Sequence, residues 1–183
     1  VGAGLLEPSS GTVKVFGQPL TGVNARAGYM FQTEALMPWR SALANVMLGL
    51  QYRGMPDDAA RTLAEQWLAR VGLGGFGDRY PHELSGGMRK RTALAQVLAL
   101  DPDIILMDEP FSALDVQTRQ LMENEVLELW AAPSTGRRAA PAPVLTPAAG
   151  GRAAPAGQQG RKAVLFITHD LDEAIAMSDR VVV

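Results

Sequence analysis

A short apolar run that ends in two adjacent carboxylates constrains the fold more than any other feature of this sequence. Residues 104–107 read Ile-Ile-Leu-Met, and Asp108, Glu109 and Pro110 follow at once. Apolar residues without alternation are typical of a strand that is buried on both faces of a parallel sheet. Ligands of open α/β sheets bind outside the carboxyl ends of the strands. The pattern therefore predicts a parallel α/β fold with an acidic pair at its ligand-binding edge.

Segments with strand-like and helix-like patterns alternate along most of the chain. Strands are predicted for three further segments, of which the last is expected to be buried: 11–17, 27–31 and 163–168. Apolar residues at helical spacing predict four helices, in segments 43–50, 60–71, 93–98 and 122–130. This alternation favours a parallel sheet covered by helices, with residues of about 38–100 as an inserted α-helical subdomain.

A Ser-Gly-Gly sequence, Ser85-Gly86-Gly87, precedes the third of these helices. Serine is a preferred N-cap, and the backbone amides at a helix N-terminus attract phosphate. The same residues also suit an ordinary helix-entry turn. Arg89, Lys90 and Arg91 then place positive charge at the start of the helix, where the helix dipole disfavours cations. We expect these basic side chains to be exposed to solvent.

These motifs have the order and spacing found in ATP-binding cassette (ABC) ATPases, which the chain resembles over nearly its whole length. Gln32 is similar to the Q-loop glutamine, and Ser85-Gly86-Gly87 to the signature loop. Asp115 is similar to the D-loop aspartate, and His169 to the H-loop histidine. The residues around the motifs resemble most the importer branch for nitrate, sulfonate and taurine.

The resemblance implies a role for each of these polar residues, with ATP and Mg²⁺ as cofactors. Glu109 would orient or deprotonate the hydrolytic water, and His169 would hydrogen-bond the γ-phosphate; both are the implied catalytic residues. Asp108 and Gln32 would hold Mg²⁺. Asp115 would order the contact between two subunits. Such positioning and charge stabilisation are the main needs of phosphoryl transfer.

The resemblance also implies a P-loop NTPase (RecA-like) fold and a set of partners. Two copies would enclose two ATP molecules head to tail, and Ser85, Gly86 and Gly87 of one copy would face the nucleotide of the other. A transmembrane permease would be a further partner, with a solute-binding protein acting indirectly, at the cytoplasmic face of the membrane. Met37-Pro38-Trp39 and segment 43–71 would contact the permease; the alternative is that Trp39 packs inside the subdomain.

Two other functional classes are alternatives to the importer subunit. A non-transport ABC ATPase that acts on DNA or ribosomes would carry long coiled-coil insertions, tandem cassettes or basic arms, none of which this sequence shows. The formal net charge is −2, unlike that of a basic nucleic-acid binder, so no nucleic acid is expected as a partner. The second class is a catalytically incomplete fragment that only binds partners.

The sequence contains no P-loop, whose pattern is Gly-x-x-x-x-Gly-Lys-Ser/Thr. Its lysines are Lys14, Lys90 and Lys162, and none of them follows a glycine. Within the family, a sequence like that of residues 3–11 closes the helix after the P-loop. We therefore expect 1–183 to be a nucleotide-binding domain truncated at both its N- and C-termini.

Two segments depart from the α/β pattern. Segment 131–162 is rich in Ala, Pro, Gly and Arg, has no acidic residue, and is predicted to be a disordered insertion. Segment 72–77 satisfies Gly-x-Gly-x-x-Gly, the dinucleotide fingerprint. A fingerprint follows a strand, whereas this segment follows a predicted helix, so a helix-terminating loop is the prediction.

The chain of 183 residues is expected to bind MgATP weakly, because it has neither the amides nor the lysine of a P-loop. A longer version that includes such a segment, here called the P-loop-containing chain, should bind MgATP tightly and is the positive control. Titration calorimetry measures both affinities. A submicromolar dissociation constant for the 183-residue chain would contradict the prediction.

Overall fold

The computed structural model describes residues 1–112, 114–131 and 162–182. The strands are β1 (Lys14–Val15), β2 (Gln18–Pro19), β3 (Ala27–Met30), β4 (Ile104–Asp108) and β5 (Ala163–Ile167). The helices are α1 (Ala42–Tyr52), α2 (Asp57–Arg70), α3 (Gly86–Leu98), α4 (Val116–Ala131) and α5 (Leu171–Met177), with a 3₁₀ turn at Pro81–Glu83. Most of the predicted insertion lies outside the described residues, but its predicted ends do not: Ala131 ends α4, and Lys162 is buried and ion-paired with Asp101.

A parallel sheet in the order β3-β4-β5 lies at the centre of the fold. β4 is the middle strand: its first residue, Ile104, lies opposite Ala27 of β3 and Ala163 of β5. At its other end Asp108 lies opposite Ile167. Because the three strands run in the same direction, their carboxyl ends meet at one edge. The predicted parallel α/β sheet is confirmed.

The predicted strand 11–17 is shorter than expected. Only Lys14–Val15 is a strand, and it pairs with β2 in a small antiparallel hairpin. Phe16 and Gly17 form its turn with φ of +49° and +77°. Positive φ at both central residues is the geometry that continues the right-handed twist of a hairpin. Gly17 therefore marks a turn inside the hairpin, whereas the sequence pattern placed it at the end of a strand.

The prediction that β5 is buried is correct for only one of its faces. Val164 and Phe166 pack against the core, whereas Leu165 and Ile167 are each 62% exposed. Within the described ranges β5 is the edge strand, and no described helix covers its outer face. A strand buried on both faces needs a layer on each side of the sheet. β4 has that environment, since Ile105 and Met107 are buried and Leu106 is nearly so.

α1, α2 and α3 pack on one another, and α3 also packs on the sheet. Ser41 begins α1 as its N-cap by accepting a hydrogen bond from the Ala44 amide at 3.3 Å. α3 approaches β3 closely at Gly28, where an added Cβ would lie 2.7 Å from Val97 Cγ1. Only glycine allows that approach without displacement. α3 is thus the element shared by the helical layer and the sheet.

Arg70, the last residue of α2, links the helical layer to α4. Its guanidinium lies over the Trp67 ring, 4.5 Å from the centroid. Its Nη2 also forms an ion pair with Glu125 Oε2 at 2.7 Å, and lies 3.4 Å from Glu128 Oε2. The end of α2 is therefore held to α4 largely by charge.

The glycine-rich segment 72–77 follows α2 directly, and β3 and β4 lie elsewhere in the chain. Gly72 and Gly75 have φ of +70° and +85°, conformations that end the helix and turn the chain. The predicted helix-terminating loop is confirmed. In the ranges that the structure describes, no helix is both long and apolar enough to cross a bilayer.

Candidate functional site

Three of the predicted site residues meet at the carboxyl edge of the sheet. Gln32 follows β3, Glu109 follows β4 and His169 follows β5. The Gln32 amide donates a hydrogen bond from Nε2 to Glu109 Oε2 at 3.2 Å. His169 Nδ1 lies 3.2 Å from the other carboxylate oxygen, Oε1. We call these three residues the Glu109 cluster.

The Glu109 cluster is open to solvent on one side. The His169 side chain is 72% exposed, and Gln32 is exposed, whereas Glu109 is partly buried. The Gln32 amide donates to one oxygen of the carboxylate, and the His169 tautomer with its proton on Nδ1 donates to the other. The arrangement fixes the carboxylate from two sides and leaves the cluster within reach of a ligand.

The backbone of Glu109 adopts a left-handed conformation with φ of +46°. Such a φ is uncommon outside glycine and costs free energy that the surroundings must offset. The Glu109 amide donates to the Ile167 carbonyl of β5 at 2.8 Å. Its carbonyl accepts from Ser112 Oγ at 3.1 Å and from Lys90 Nζ at 3.2 Å. These contacts turn the chain sharply after β4 and direct it away from the sheet.

Asp108, the last residue of β4, is partly buried beside the Glu109 cluster. No group of three His, Asp or Glu side chains forms a ready metal site within residues 1–112, 114–131 and 162–182. Mg²⁺ is commonly held by one or two protein oxygens together with phosphate and water. The Asp108 carboxylate and the Gln32 amide oxygen are oxygen donors of that kind at one edge of the sheet. The residues present therefore fit a Mg²⁺ site that a nucleotide completes.

Ser85-Gly86-Gly87 lies at the start of α3. Ser85 is its N-cap, and Oγ accepts a hydrogen bond from the Met88 amide at 3.3 Å. Gly87 lies close to the chain after β4, since an added Cβ would be 3.5 Å from Leu114 Cδ2. Among the described residues, no hydrogen bond joins this loop to the Glu109 cluster. Within one chain, Ser85-Gly86-Gly87 is therefore not part of the Glu109 cluster.

Asp115 begins α4. Its carboxylate accepts hydrogen bonds from the Thr118 amide at 3.0 Å and from Thr118 Oγ1 at 2.7 Å. The hydrogen bonds from the Thr118 side chain and then from its backbone lower the pKa of Asp115 below its ordinary value. This is the geometry of an N-cap, which satisfies amides that the helix itself leaves unpaired.

The loop that carries His169 is held to α4. Asp170 accepts a hydrogen bond from Arg119 Nη1 at 2.8 Å. Thr168 donates its hydroxyl to the buried carboxylate of Glu173 in α5. Burial raises the pKa of Glu123 in α4, and the nearby charge of Glu173 raises it further. Charged groups of two helices therefore surround the residues on either side of His169.

The prediction that the basic start of α3 is exposed is wrong for Lys90, and Arg89 and Arg91 are only partly exposed. Lys90 is 4% exposed, and its Nζ donates to the carbonyls of Gln32 at 2.6 Å and Glu109 at 3.2 Å. Arg89 donates to the Leu84 carbonyl at 2.8 Å, and Arg91 to the Val71 carbonyl at 3.1 Å. Carbonyl oxygens thus take the place of solvent around Lys90, whereas Arg89 and Arg91 stay partly exposed, and Arg89 Nε also lies 3.9 Å from Glu34 Oε2.

Helical periodicity contained the signal that could have identified Lys90. Lys90, Ala93, Leu94 and Val97 have the spacing of a single helix face. Three of these four are apolar and all four are buried. The effect of the helix dipole depends on where a charge lies along the helix, whereas the burial of a side chain depends on the helix face that it occupies.

Trp39 is 71% exposed, so the alternative that it packs inside the helical subdomain is wrong. It lies beside a surface concavity of about 770 Å³. The lining residues come from the two loops around the helical layer: Pro38, Trp39, Gly75, Asp78, Arg79, Tyr80, His82 and Glu83. The Tyr80 and His82 rings stack there with their centroids 5.8 Å apart. None of the residues that line the concavity belongs to the Glu109 cluster.

A sequence model described as "ABC transporter" matches residues 2–112, which is more than half of the chain. The chain belongs to the ABC transporter family. An uncharacterized ABC transporter ATP-binding protein of Methanocaldococcus jannaschii is 42% identical over 181 residues, which are 99% of this chain and 58% of that protein. The taurine import ATP-binding protein TauB of Pseudomonas putida is 37% identical over 180 residues, covering 98% of this chain and 58% of TauB.

Solved ABC structures have the same fold. The ATP-binding cassette MJ0796, in a dimeric post-hydrolysis state bound to ADP and Pi, matches with a TM-score of 0.71 and 26% identity. That match covers 94% of this chain and 68% of the cassette. The parallel sheet with its helices is therefore the P-loop NTPase fold of ABC cassettes. The chain spans slightly less than three fifths of the length of the M. jannaschii and TauB relatives.

The N-cap formed by Asp115 should make the stability of the folded state depend on pH. Because its folded-state pKa is lowered, ionised Asp115 stabilises the folded state above the ordinary carboxyl pKa, and this stability is lost as the pH falls through the lowered pKa. We expect Asp115→Ala to lower the urea midpoint most at about pH 7, with the difference shrinking toward about pH 3.

Asp115→Asn is the matched control, since asparagine still caps the helix but does not titrate. The difference between the Asn and Ala variants should therefore not change over the same pH range. A difference between parent and Ala variant that stays constant, or grows on acidification, would contradict the assignment of Asp115 as an ionised cap.

Proposed function

We propose that this chain is part of the ATP-binding and ATP-hydrolysing subunit of an ABC importer, which energises the uptake of a small solute. The observation that carries the proposal is the Glu109 cluster, in which a carboxylate is held between an amide and an imidazole at the carboxyl edge of the sheet. ATP hydrolysis needs a group that orients the attacking water and donors that stabilise charge on the phosphate. Membership of the ABC transporter family supports that reaction for this cluster.

Each residue of the Glu109 cluster has one task in this proposal. Glu109 accepts a hydrogen bond from the attacking water and takes up its proton. Gln32 fixes one oxygen of the carboxylate through its Nε2, and His169 fixes the other and reaches toward the γ-phosphate. Asp108 and the Gln32 oxygen would hold Mg²⁺, which would neutralise negative charge on the phosphates. Gln32 and His169 thus orient the Glu109 carboxylate by contacts within the same chain.

A second copy of the subunit completes the site in this proposal. Ser85, Gly86 and Gly87 lie outside the cluster of their own chain, which leaves their amides at the start of α3 for the nucleotide of another copy. A head-to-tail pair of this kind makes two equal composite sites. MJ0796, which shares the fold, is dimeric in its post-hydrolysis structure. Closure of the pair would assemble the site, and hydrolysis would release it.

The importer assignment is supported by relatives whose names state a transport role. TauB of Yersinia pestis, a taurine import ATP-binding protein, is 38% identical over 176 residues, which are 96% of this chain and 58% of TauB. We infer a solute of the nitrate, sulfonate or taurine type. The subunit would then lie at the cytoplasmic face of the membrane, against a permease that receives the solute from a solute-binding protein.

The concavity beside Trp39 is the proposed contact with the permease. Trp39 is exposed and follows Pro38, which limits the motion of the turn. Large aromatic side chains on rigid backbone dominate the energy of many interfaces. The site lies on the helical layer that follows Gln32, so a change at the nucleotide can reach it through α1 and α3.

In the P-loop-containing chain, Glu109→Gln is expected to lower kcat for ATP hydrolysis by at least about 100-fold, because an amide cannot take up the proton. His169→Ala should lower kcat by about 10-fold or more, since it removes one of the two donors that fix the carboxylate. A steady-state phosphate-release assay measures both. Glu128→Gln, an exposed change of the same type on α4, should leave the rate unchanged. Parent rates in both site variants would overturn the assignment.

Trp39→Ala should reduce solute transport in a reconstituted transporter several-fold while leaving the ATPase rate of the isolated subunit nearly unchanged, because it removes an interface anchor and no site residue. Phe16→Ala is the matched control, since Phe16 is an exposed aromatic residue, at 48%, in the turn of the β1–β2 hairpin, outside the concavity and outside segment 43–71. Transport assays in proteoliposomes measure both variants. Equal loss of transport and ATPase activity, with a lower melting temperature, would contradict the coupling role.

A further inference from the structure

Lys90 is a buried cation that contacts the backbone of two residues of the Glu109 cluster. It lies in the second turn of α3, and its Nζ donates to the Gln32 carbonyl at 2.6 Å and to the Glu109 carbonyl at 3.2 Å. Both acceptors follow the carboxyl ends of strands, β3 and β4. One side chain thus connects the helix that begins with Ser85 to two neighbouring loops of the site.

The burial of Lys90 requires a specific explanation. An ammonium group is costly to remove from water unless it is paired or fully hydrogen-bonded. Within the ranges that the structure describes, Lys90 forms no ion pair with a carboxylate. Its recorded partners are the two carbonyls, and charge-assisted hydrogen bonds of this kind are stronger than neutral ones. The buried charge is therefore directed at the backbone of the site.

The Glu109 carbonyl is an informative target because the residue has a left-handed backbone. With φ at +46°, Glu109 is in a conformation that persists only where the surroundings hold it. The side-chain groups that hold its carbonyl are Lys90 Nζ and Ser112 Oγ. The direction of the Glu109 side chain follows from this backbone conformation, so removing one donor changes where the carboxylate points.

We propose that Lys90 is a positioning residue for ATP hydrolysis, which couples the placement of α3 to the orientation of the Glu109 carboxylate and to the Gln32 loop. The inference rests on the proposed function, because it assigns Lys90 to the reaction of the Glu109 cluster. Lys90 contacts no reacting atom in this scheme and acts through the two carbonyls. A movement of the signature loop is transmitted to the carboxylate of the same chain by this contact.

The test measures kcat and KM for MgATP in the P-loop-containing chain. Lys90→Met keeps the aliphatic length and removes the donors, and it should lower kcat at least tenfold while KM changes less than threefold. Lys90→Gln retains a shorter amide donor, so its kcat should lie between those of the parent and the Met variant. A kcat within twofold of the parent in Lys90→Met, or a loss confined to KM, would overturn the proposal.

Arg91→Met is the matched control for loss of a neighbouring, partly buried cation from the same helix. Arg91 Nη1 donates to the carbonyls of Val71 at 3.1 Å and Gly72 at 3.2 Å, which lie outside the site. It should lower the melting temperature and leave kcat unchanged. An equal loss of kcat in Arg91→Met and Lys90→Met would show that α3 needs only to be anchored, and would overturn the proposal.

Two further comparisons separate the possible failures. If Glu109→Gln retains the parent rate, the proposed function itself fails; if Glu109→Gln is inactive and Lys90→Met is not impaired, only the positioning role fails. Should Lys90→Met not fold, Lys90→Gln decides alone. A kcat about threefold below the parent at unchanged KM then supports the proposal, and a kcat equal to the parent overturns it.

Discussion

The pairing of β4 with β3 and β5 is the interaction on which the rest of the structure depends. It fixes the register in which Asp108 lies opposite Ile167, and it lets the Glu109 amide reach the Ile167 carbonyl. A shift of one residue in the register of a strand would turn every side chain of that strand to the opposite face of the sheet. The three loops that supply the Glu109 cluster can meet because three parallel strands end together. Backbone hydrogen bonds, which depend little on side-chain identity, therefore determine where the polar residues lie.

The site adds a locally unfavourable conformation to this regular frame. The left-handed backbone of Glu109 costs about 1–3 kcal/mol, a typical value for such residues. Lys90 and Ser112 offset that cost by donating hydrogen bonds to the Glu109 carbonyl. The hydrogen bond from the Glu109 amide to β5 offsets it further. The residues that hold the backbone come from α3, from the next turn and from the neighbouring strand. The orientation of the Glu109 carboxylate thus depends on several elements, and it can change when any of these elements moves.

The sequence predicted the parts of the fold that are encoded locally. The apolar run before Asp108 marks β4, and Gly72 marks the end of α2, because burial on two faces and a positive φ each leave a short-range pattern. The motif residues Gln32, Glu109 and His169 could be predicted to share one edge of the sheet, since the order of strands and loops places them there. Their hydrogen bonds to one another were not predictable from spacing.

The parts that the sequence did not predict depend on contacts between distant segments. Lys90 was expected to be exposed because the helix dipole disfavours its charge, but two carbonyls far from it in the chain accept its protons. The outer face of β5 was expected to be buried because its residues are apolar, yet exposure depends on which elements cover the sheet. The N-cap formed by Asp115, in contrast, depends on a local contact, since its partner Thr118 is only three residues away. An aspartate three residues before a threonine at the start of a helix is a pattern that the sequence itself contains.

The link formed by Arg70 has a consequence for the freedom of the helical layer. α3 holds that layer to the sheet by packing, whereas Arg70, whose guanidinium lies over the Trp67 ring of its own helix, holds the other end to α4 by an ion pair with Glu125. The Arg70 side chain is partly exposed, so dissolved ions screen its attraction to Glu125, with a range of about 8 Å at physiological ionic strength. Packing through α3 is nearly insensitive to salt. Ionic strength therefore adjusts how firmly the α2 end of the helical layer is held to α4, while its α3 end stays fixed on the sheet.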